Sequence, residues 1–290
     1  MKLRELIEQL SVQFAEAGIE SAKADAELLI AEVLGTGRGE VAALAITDGE
    51  IAPEPLATVL ALAERRAARE PLQHLTGRAY FRNLTLAVGK GVFVPRPETE
   101  LLAGLGVQAL EAAKAGGVSS VIGVDLATGS GAIALAMATE VADSKVYAVE
   151  LSEDAIAWTS KNFETYASRG ANLELRQGDL TDAFPDLNGT CHVVLSNPPY
   201  IPVDMVPIYP EVVLHDPSLA LYGGQDGLDL VRAASQSGLR LALSGGFFAV
   251  EHADIQGPSV VALLQADGWT NVTQHQDFNG RDRVVSAVAP

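Results

Sequence analysis

The sequence predicts an α/β fold: a mostly parallel sheet of seven strands with its last strand antiparallel, preceded by a small N-terminal helical domain and a linking β-hairpin. Two observations predict it. From residue 120 onward, short apolar runs alternate with segments of helical spacing, and strands separated by helices make a parallel sheet covered on both faces. Before residue 70, apolar residues recur only at helical spacing. The expected domains are 1–75 (helical), 76–92 (hairpin) and 93–290 (the sheet).

In the first domain Leu3, Leu6, Ile7, Leu10 and Phe14 mark one helix, and Ala24, Leu28, Leu29 and Ala31 a second. The Gly35–Gly39 stretch breaks the pattern, and Leu56, Val59, Leu60 and Leu62 start another helix. Tyr80–Val88 has strand composition, interrupted at Gly89–Lys90–Gly91, and reads as a hairpin bridging the two domains. Glu98 or Thr99 is expected to start a helix that runs to Ala115. Strands are then expected at 120–125, 145–150, 173–176, 193–196, 247–251, 269–273 and 283–288. Helices are expected at 132–138, 154–166, 228–243 and 260–266. The last two strands are joined by the short polar segment 274–282, which makes them antiparallel to each other.

The 290 residues carry 20 Lys and Arg against 37 Asp and Glu, a formal charge of −17. That charge argues against a duplex-binding protein, whose affinity comes largely from neutralising phosphates. The single cysteine, Cys191, has no disulfide partner and sits in an apolar run, so it reads as a buried small hydrophobe. MKLRELIEQL carries charges through its apolar positions and is not read as an export leader. No uncharged apolar run reaches the ~18–20 residues that span a bilayer. A reducing cytoplasm and no membrane are expected.

Asp125–Leu126–Ala127–Thr128–Gly129–Ser130–Gly131 follows the first sheet strand and opens a helix. Glycine there lets a backbone bend sharply and a ligand approach closely. Glu150 ends the next strand, where a carboxylate accepts both hydroxyls of a ribose. Asp179 follows the third strand and either reaches an adenine amine or caps a turn. The turn is not GxGxxG, and a pyrophosphate beside Asp125 and Glu150 is electrostatically unfavourable. S-adenosylmethionine, with a cationic sulfonium and no phosphate, suits these acids.

Ser196–Asn197–Pro198–Pro199–Tyr200 ends the fourth strand. Each proline removes a donor and fixes φ near −65°, so Asn197 and Tyr200 stand on a stiff loop. The Asn197 amide oxygen and a proline carbonyl together accept both hydrogens of a planar –NH2 group, while Tyr200 offers it a flat face. Accepting those N–H bonds shifts density onto a delocalised nitrogen, and orientation supplies the rest.

With these motifs in place the chain resembles the protein-(glutamine-N5) methyltransferases of peptide chain release factors. The resemblance runs through 70–77 (EPLQHLTG), 94–100 (VPRPETE), the Asp125–Gly131 turn, 196–201 (SNPPYI), 223–228 (GGQDGL) and 280–284 (GRDRV). Asn-Pro-Pro-Tyr is also typical of adenine-N6 nucleic-acid methyltransferases; the upstream PRPETE and the small helical domain are not. The resemblance implies a Rossmann-like methyltransferase sheet, S-adenosylmethionine as cofactor with S-adenosylhomocysteine as product, and class-1 release factors as partner. It implies cofactor contacts at Asp125, Ala127, Thr128, Gly129, Ser130, Gly131, Glu150, Asp179, Leu180 and Asn197. Asn197, Pro198, Pro199 and Tyr200 would hold the glutamine amide of the Gly-Gly-Gln motif, with Asn197, Pro198 and Tyr200 catalytic. Phe93 and Arg96 would line the pocket, and the helical domain would hold the release factor. A monomer in a transient complex, with no nucleic acid and no metal, is expected. Ala127 departs from the glycine of many relatives and is tolerable if its φ is negative. Glu251–His252–Ala253–Asp254 departs too, and no catalytic role is given to it. His74, His215 and His275 read as surface or loop residues. The competing readings are an adenine-N6 methyltransferase, which lacks a basic track here, and an adenosine-sensing interaction protein, which leaves Asn197 and Tyr200 unexplained.

Overall fold

The computed structural model describes all 290 residues, in two compact units: Met1–Arg78 with Pro207–His215, and Ala79–Val206 with Asp216–Pro290.

The first unit holds α1 (Leu3–Glu16), α2 (Ala22–Leu34), α3 (Arg38–Ile46), α4 (Pro53–Ala67) and α5 (Leu72–Thr76). Leu3, Leu6, Ile7, Leu10 and Phe14 are all buried along one stripe of α1, and they share a core with Ala26, Leu29 and Ile30 of α2. Arg66 is buried on α4 and donates to Asp25 Oδ2 at 2.8 Å. A buried guanidinium left without such a partner would cost several kcal/mol, on the order of 3–5. Arg66 and Arg69 also grip Glu211, at 3.0 and 2.6 Å, which ties the distant segment 207–215 into this unit. Contiguous reading of the sequence does not foresee that membership. Nor does it foresee α3 and α5: α3 buries only Val41 and α5 buries nothing completely, so neither shows an apolar period.

In the second unit β1 (Arg78–Phe81), whose first residue lies in the first unit, pairs with β2 (Leu84–Ala87). The hairpin closes at Arg82–Asn83, with Arg82 at φ 51°, and not at the glycines 89–91. From Ala79 on it is part of the second unit. Then follow α6 (Thr99–Ala115), β3 (Val121–Leu126), α7 (Ala132–Glu140), β4 (Ser144–Glu150), α8 (Glu153–Ala167), β5 (Leu173–Gln177) and β6 (Cys191–Ser196). After β6 comes α9 (Pro210–His215), the short helix of the 207–215 segment. The chain ends with α10 (Asp229–Leu241), β7 (Ala242–Glu251), α11 (Gly257–Asp267), β8 (Thr270–Gln276) and β9 (Asp282–Val288). Strand order is β5-β4-β3-β6-β7-β9-β8, all parallel except β9, which runs antiparallel to both neighbours.

The central strands carry apolar side chains on both faces because both faces are covered. One core includes Leu102, Leu110, Leu135 and Val146, and the other Val124, Val194, Phe248 and Val285. Cys191 is fully buried at the start of β6, and burial pushes its thiol up to about 11. Strand order reverses at β3, between β4 and β6. Open α/β sheets bind ligands beyond the carboxyl ends of strands at such a point.

Candidate active site

The loops leaving β3, β4 and β6 carry the residues singled out in the sequence. Asp125, the last residue but one of β3, is fully buried, and its Oδ2 accepts the Thr128 hydroxyl at 2.5 Å and the Ala134 N–H at 3.1 Å. Its Oδ1 has no hydrogen-bond partner. Glu150 accepts the Gly129 N–H on Oε2 at 2.8 Å and the Ser152 N–H on Oε1 at 2.9 Å. One carboxylate thus ties the glycine turn to the start of α8, and each oxygen keeps a lone pair for a ligand hydroxyl.

Ala127 stands at φ 59°, Gly129 at 58° and Gly131 at 85°. The condition under which alanine was acceptable at 127, a negative φ, is therefore not met. The methyl group sits in a left-handed conformation that costs roughly 1–2 kcal/mol, and the bonds around the turn hold it there. Asn162 on α8 donates to the carbonyls of Ser130 at 2.9 Å and Ala87 at 3.0 Å, and accepts the Ala87 N–H at 2.7 Å. Together with Tyr166, which binds the backbone of Thr85, it fastens the hairpin to the turn. Asp179 is exposed; its Oδ1 takes the N–H and hydroxyl of Thr181, the turn-capping role, and leaves Oδ2 available. Leu180 beside it is buried.

Burial pushes Asp125 up to about 7, opposed by the Thr128 and Ala134 bonds and reinforced by the charge of Glu150. Burial likewise raises Asp216 to about 6 and Glu251 to about 7. A carboxyl raised in this way keeps a proton in the folded protein that the unfolded chain releases. The contribution of these groups to stability is therefore full below about pH 4 and is lost as pH rises to 7, on the order of a few kcal/mol for each. The lowered pKa values of His192, His252 and His275 act in the opposite sense, so the test is a difference: between pH 5 and 7 the melting temperature of the ligand-free wild type should lose ground to that of Asp125→Asn. Parallel profiles for the two proteins would remove Asp125 from the explanation.

Asn197 begins the loop after β6. Its Nδ2 donates to Thr99 Oγ1 at 3.2 Å, so the amide nitrogen is engaged and Oδ1 is left as a free acceptor. Thr99 is the buried first residue of α6, as its place in the sequence suggests, and Glu98 before it makes no side-chain cap bond. The Tyr200 hydroxyl donates to Glu251 Oε1 at 3.2 Å, and burial raises its pKa well above the usual phenol range. Gln256 Nε2 donates to the Tyr200 carbonyl at 2.9 Å and the Asp226 carbonyl at 3.2 Å. Gly223 and Gly227 pass so close that a Cβ on either would stand within 2.4 Å of the Pro199 or Tyr200 carbonyl oxygen. The GGQDGL segment is thus a brace behind the Asn-Pro-Pro-Tyr loop.

Phe93 and Arg96 are brought side by side, the guanidinium 4.9 Å from the ring centroid. Arg96 Nη2 also donates to Asp216 Oδ2 at 2.8 Å, so its charge is spent within the unit. Sequence reasoning missed Thr99, Asp216, Asn162 and Glu251 as members of this site. For Glu251 the signal was present: it ends a buried strand after an apolar run, as Glu150 does. His275 is a correction in the other direction. It lies in β8 with Nε2 2.7 Å from Ser286 Oγ, not in a loop.

The set is one of acidic acceptors: Asp125, Glu150 and Asp179 suit hydroxyls, an amine and a positive charge, and repel phosphate. Fold and site define a methyltransferase, and residues 124–207 match the family model of a methyltransferase domain. Residues 5–77 match the model of the PrmC N-terminal domain. A release factor glutamine methyltransferase of Streptomyces coelicolor is 48% identical over 97% of this chain and 96% of its own length. The chain belongs to the release factor glutamine methyltransferase family. A 4-amino-L-phenylalanine/4-methylamino-L-phenylalanine methyltransferase of Streptomyces pristinaespiralis is 35% identical over 99% of this chain and 94% of its own. In fold the chain is also similar to the Thermus thermophilus 16S rRNA N2 G1207 methyltransferase. That match has TM-score 0.50 and 18% identity, covering 73% of this chain and 50% of the other. No helix is long and apolar enough to cross a membrane.

Proposed function

We propose that the protein transfers a methyl group from S-adenosylmethionine to the side-chain amide nitrogen of the glutamine in the Gly-Gly-Gln motif of class-1 release factors, acting as a cytoplasmic monomer. The observation that carries this reading is the Asn197 amide: its nitrogen is committed to Thr99 and its oxygen is free at a strand-end loop. When bound, S-adenosylmethionine supplies an electrophilic methyl on a cationic sulfur. Glu150 takes the ribose hydroxyls, Asp179 and Leu180 flank the adenine, and the 125–131 turn holds the remainder. Asn197 Oδ1 accepts one N–H of the glutamine amide and the Pro198 carbonyl the other, while the Tyr200 ring fixes its plane. Both bonds push electron density onto the nitrogen, so no strong base is needed before attack. As the N–C bond forms the C–S bond would break, the sulfur would leave as the neutral thioether of S-adenosylhomocysteine, and the surplus N–H proton would pass to water. Val203, Met205 and Val206 are exposed apolar residues just past this loop, a composition that suits a macromolecular partner.

Incubation with labelled S-adenosylmethionine, release factor and unmethylated duplex DNA, followed by peptide mapping, should place one methyl on that glutamine and none on DNA. Including 4-amino-L-phenylalanine tests whether a small aromatic amine satisfies the same clamp. Label entering DNA or the aromatic amine in preference to the release factor overturns the reading. In calorimetry S-adenosylhomocysteine should bind more tightly than NAD. Glu150→Ala should weaken it by about 1.5–3 kcal/mol, the range for a hydrogen bond to a charged group. Because Glu150 also holds Gly129 and Ser152, the upper half of that range is expected.

A further inference from the structure

A carboxamide has two ends of nearly equal shape, and only the oxygen end accepts a substrate N–H. Something must decide which end of Asn197 faces the pocket. Thr99 Oγ1, 3.2 Å from Asn197 Nδ2, is the side chain in position to do so. A hydroxyl has one hydrogen and two lone pairs, so by itself it would bond either end of the amide. Its orientation depends on a neighbour that takes the hydrogen. Glu251, at the end of β7, is fully buried; its Oε1 receives the Tyr200 hydroxyl at 3.2 Å and its Oε2 has no closed hydrogen bond. The Thr99 hydroxyl is beside this carboxyl and favours its charged form.

We propose that Thr99 and Glu251 are positioning residues: an ionised Glu251 draws the hydroxyl hydrogens of Thr99 and Tyr200, which leaves Thr99 only lone pairs for Asn197 and turns the amide oxygen toward the substrate. The proposal rests on the reading of Asn197 as the acceptor for the glutamine amide. An ionised carboxylate accepts and does not donate, so beside Thr99 it fixes which way the hydroxyl hydrogen turns, and with it the direction of the Asn197–Thr99 bond. The same residue fixes both walls of the amide pocket, the acceptor through Thr99 and the flat ring through the Tyr200 hydroxyl.

The groups facing Glu251 are Tyr200 from the loop after β6, Thr99 and Glu98 at the start of α6, and Arg283 of β9. Burial raises Glu251 to about 7; Thr99, Arg283 and Tyr200 lower it, and Glu98 raises it. The carboxyl therefore loses its proton near neutrality. As it does so the network takes the active polarity, and kcat should rise with pH through about 7.

Single-turnover methylation of release factor at saturating S-adenosylmethionine tests the proposal across pH 5.5 to 8.5 (a span of about 1.5 units on either side of 7). Thr99→Val should slow turnover about tenfold, the size of one positioned hydrogen bond, while Thr99→Ser stays close to wild type. Glu251→Gln should lower kcat and abolish the acid limb of the profile, with KM and S-adenosylhomocysteine affinity unchanged. A Thr99→Val enzyme as fast as wild type, or a Glu251→Gln enzyme that keeps the acid limb, overturns the proposal. The second measurement decides independently if Thr99→Val fails to fold. If wild type itself leaves the release factor unmethylated, the assigned reaction falls, and the positioning roles fall with it.

Discussion

Asn197→Ala should methylate release factor about 10²–10³ times more slowly than wild type, the loss seen when one preorganised transition-state partner is removed. The substitution deletes the oxygen that accepts one substrate N–H and leaves a polar hydrogen unpaired in the pocket. It also strands Thr99 Oγ1, which has accepted Asn197 Nδ2. Asn197→Asp is the sharper comparison. A carboxylate still accepts from the substrate, but it has no N–H for Thr99, and two acceptors then face one hydroxyl hydrogen. Its rate should therefore lie between wild type and alanine, not at the wild-type level. Cofactor affinity should change far less than turnover in either variant, because Asn197 is only one of the implied cofactor contacts and the others, Asp125 and Glu150 among them, precede it on other segments. Single-turnover methylation with S-adenosylhomocysteine titration as control separates the two contributions. Wild-type turnover by the alanine variant would reduce the motif to a stiff turn.

What could be read from the sequence was whatever depends on neighbours along the chain. The glycine turn after β3, Glu150 at the end of β4 and the proline-stiffened loop after β6 all announce themselves within a few residues. The sheet followed for the same reason, since apolar runs of strand length are local signals. Thr99 and Glu251 meet their partners across 98 and 51 residues, and nothing in either segment alone indicates the contact. Ala127 shows a different limit. A φ of 59° is imposed by the turn around it, while alanine on its own favours a negative value. The segment 207–215 is drawn into the first unit by Glu211, whose partners Arg66 and Arg69 are more than 140 residues away. Short helices such as α3, α5 and α9 went unseen because they bury too little apolar surface to leave a period.

The brace behind the loop makes the second large effect a matter of backbone geometry. Gly227→Ala should both destabilise the protein and cut turnover by more than about tenfold, through the same contact. Gly227 stands at φ 76°, where an alanine costs roughly 1–2 kcal/mol. Its Cβ would also lie 2.3 Å from the Tyr200 carbonyl oxygen, 2.7 Å from Gln256 Nε2 and 3.0 Å from Pro202 Cδ. The nearest of these is main chain, which cannot swing aside as a side-chain end does, and overpacking of that kind adds about 1–3 kcal/mol. The methyl would wedge between Gln256 and the carbonyl it binds, so relief comes by moving the loop. Moving the loop draws the Tyr200 hydroxyl from Glu251 and shifts Asn197 from its place. Gly268→Ala is the control. That residue caps α11 at φ 98° with nothing within 4 Å of a Cβ, so it carries the left-handed strain without the wedge. Melting temperature should fall by several degrees more for Gly227→Ala than for Gly268→Ala. Only the former should lose turnover, and both should keep their affinity for S-adenosylhomocysteine. Equal melting temperatures and equal rates for the two variants would show that the 223–228 segment does not brace the reacting loop.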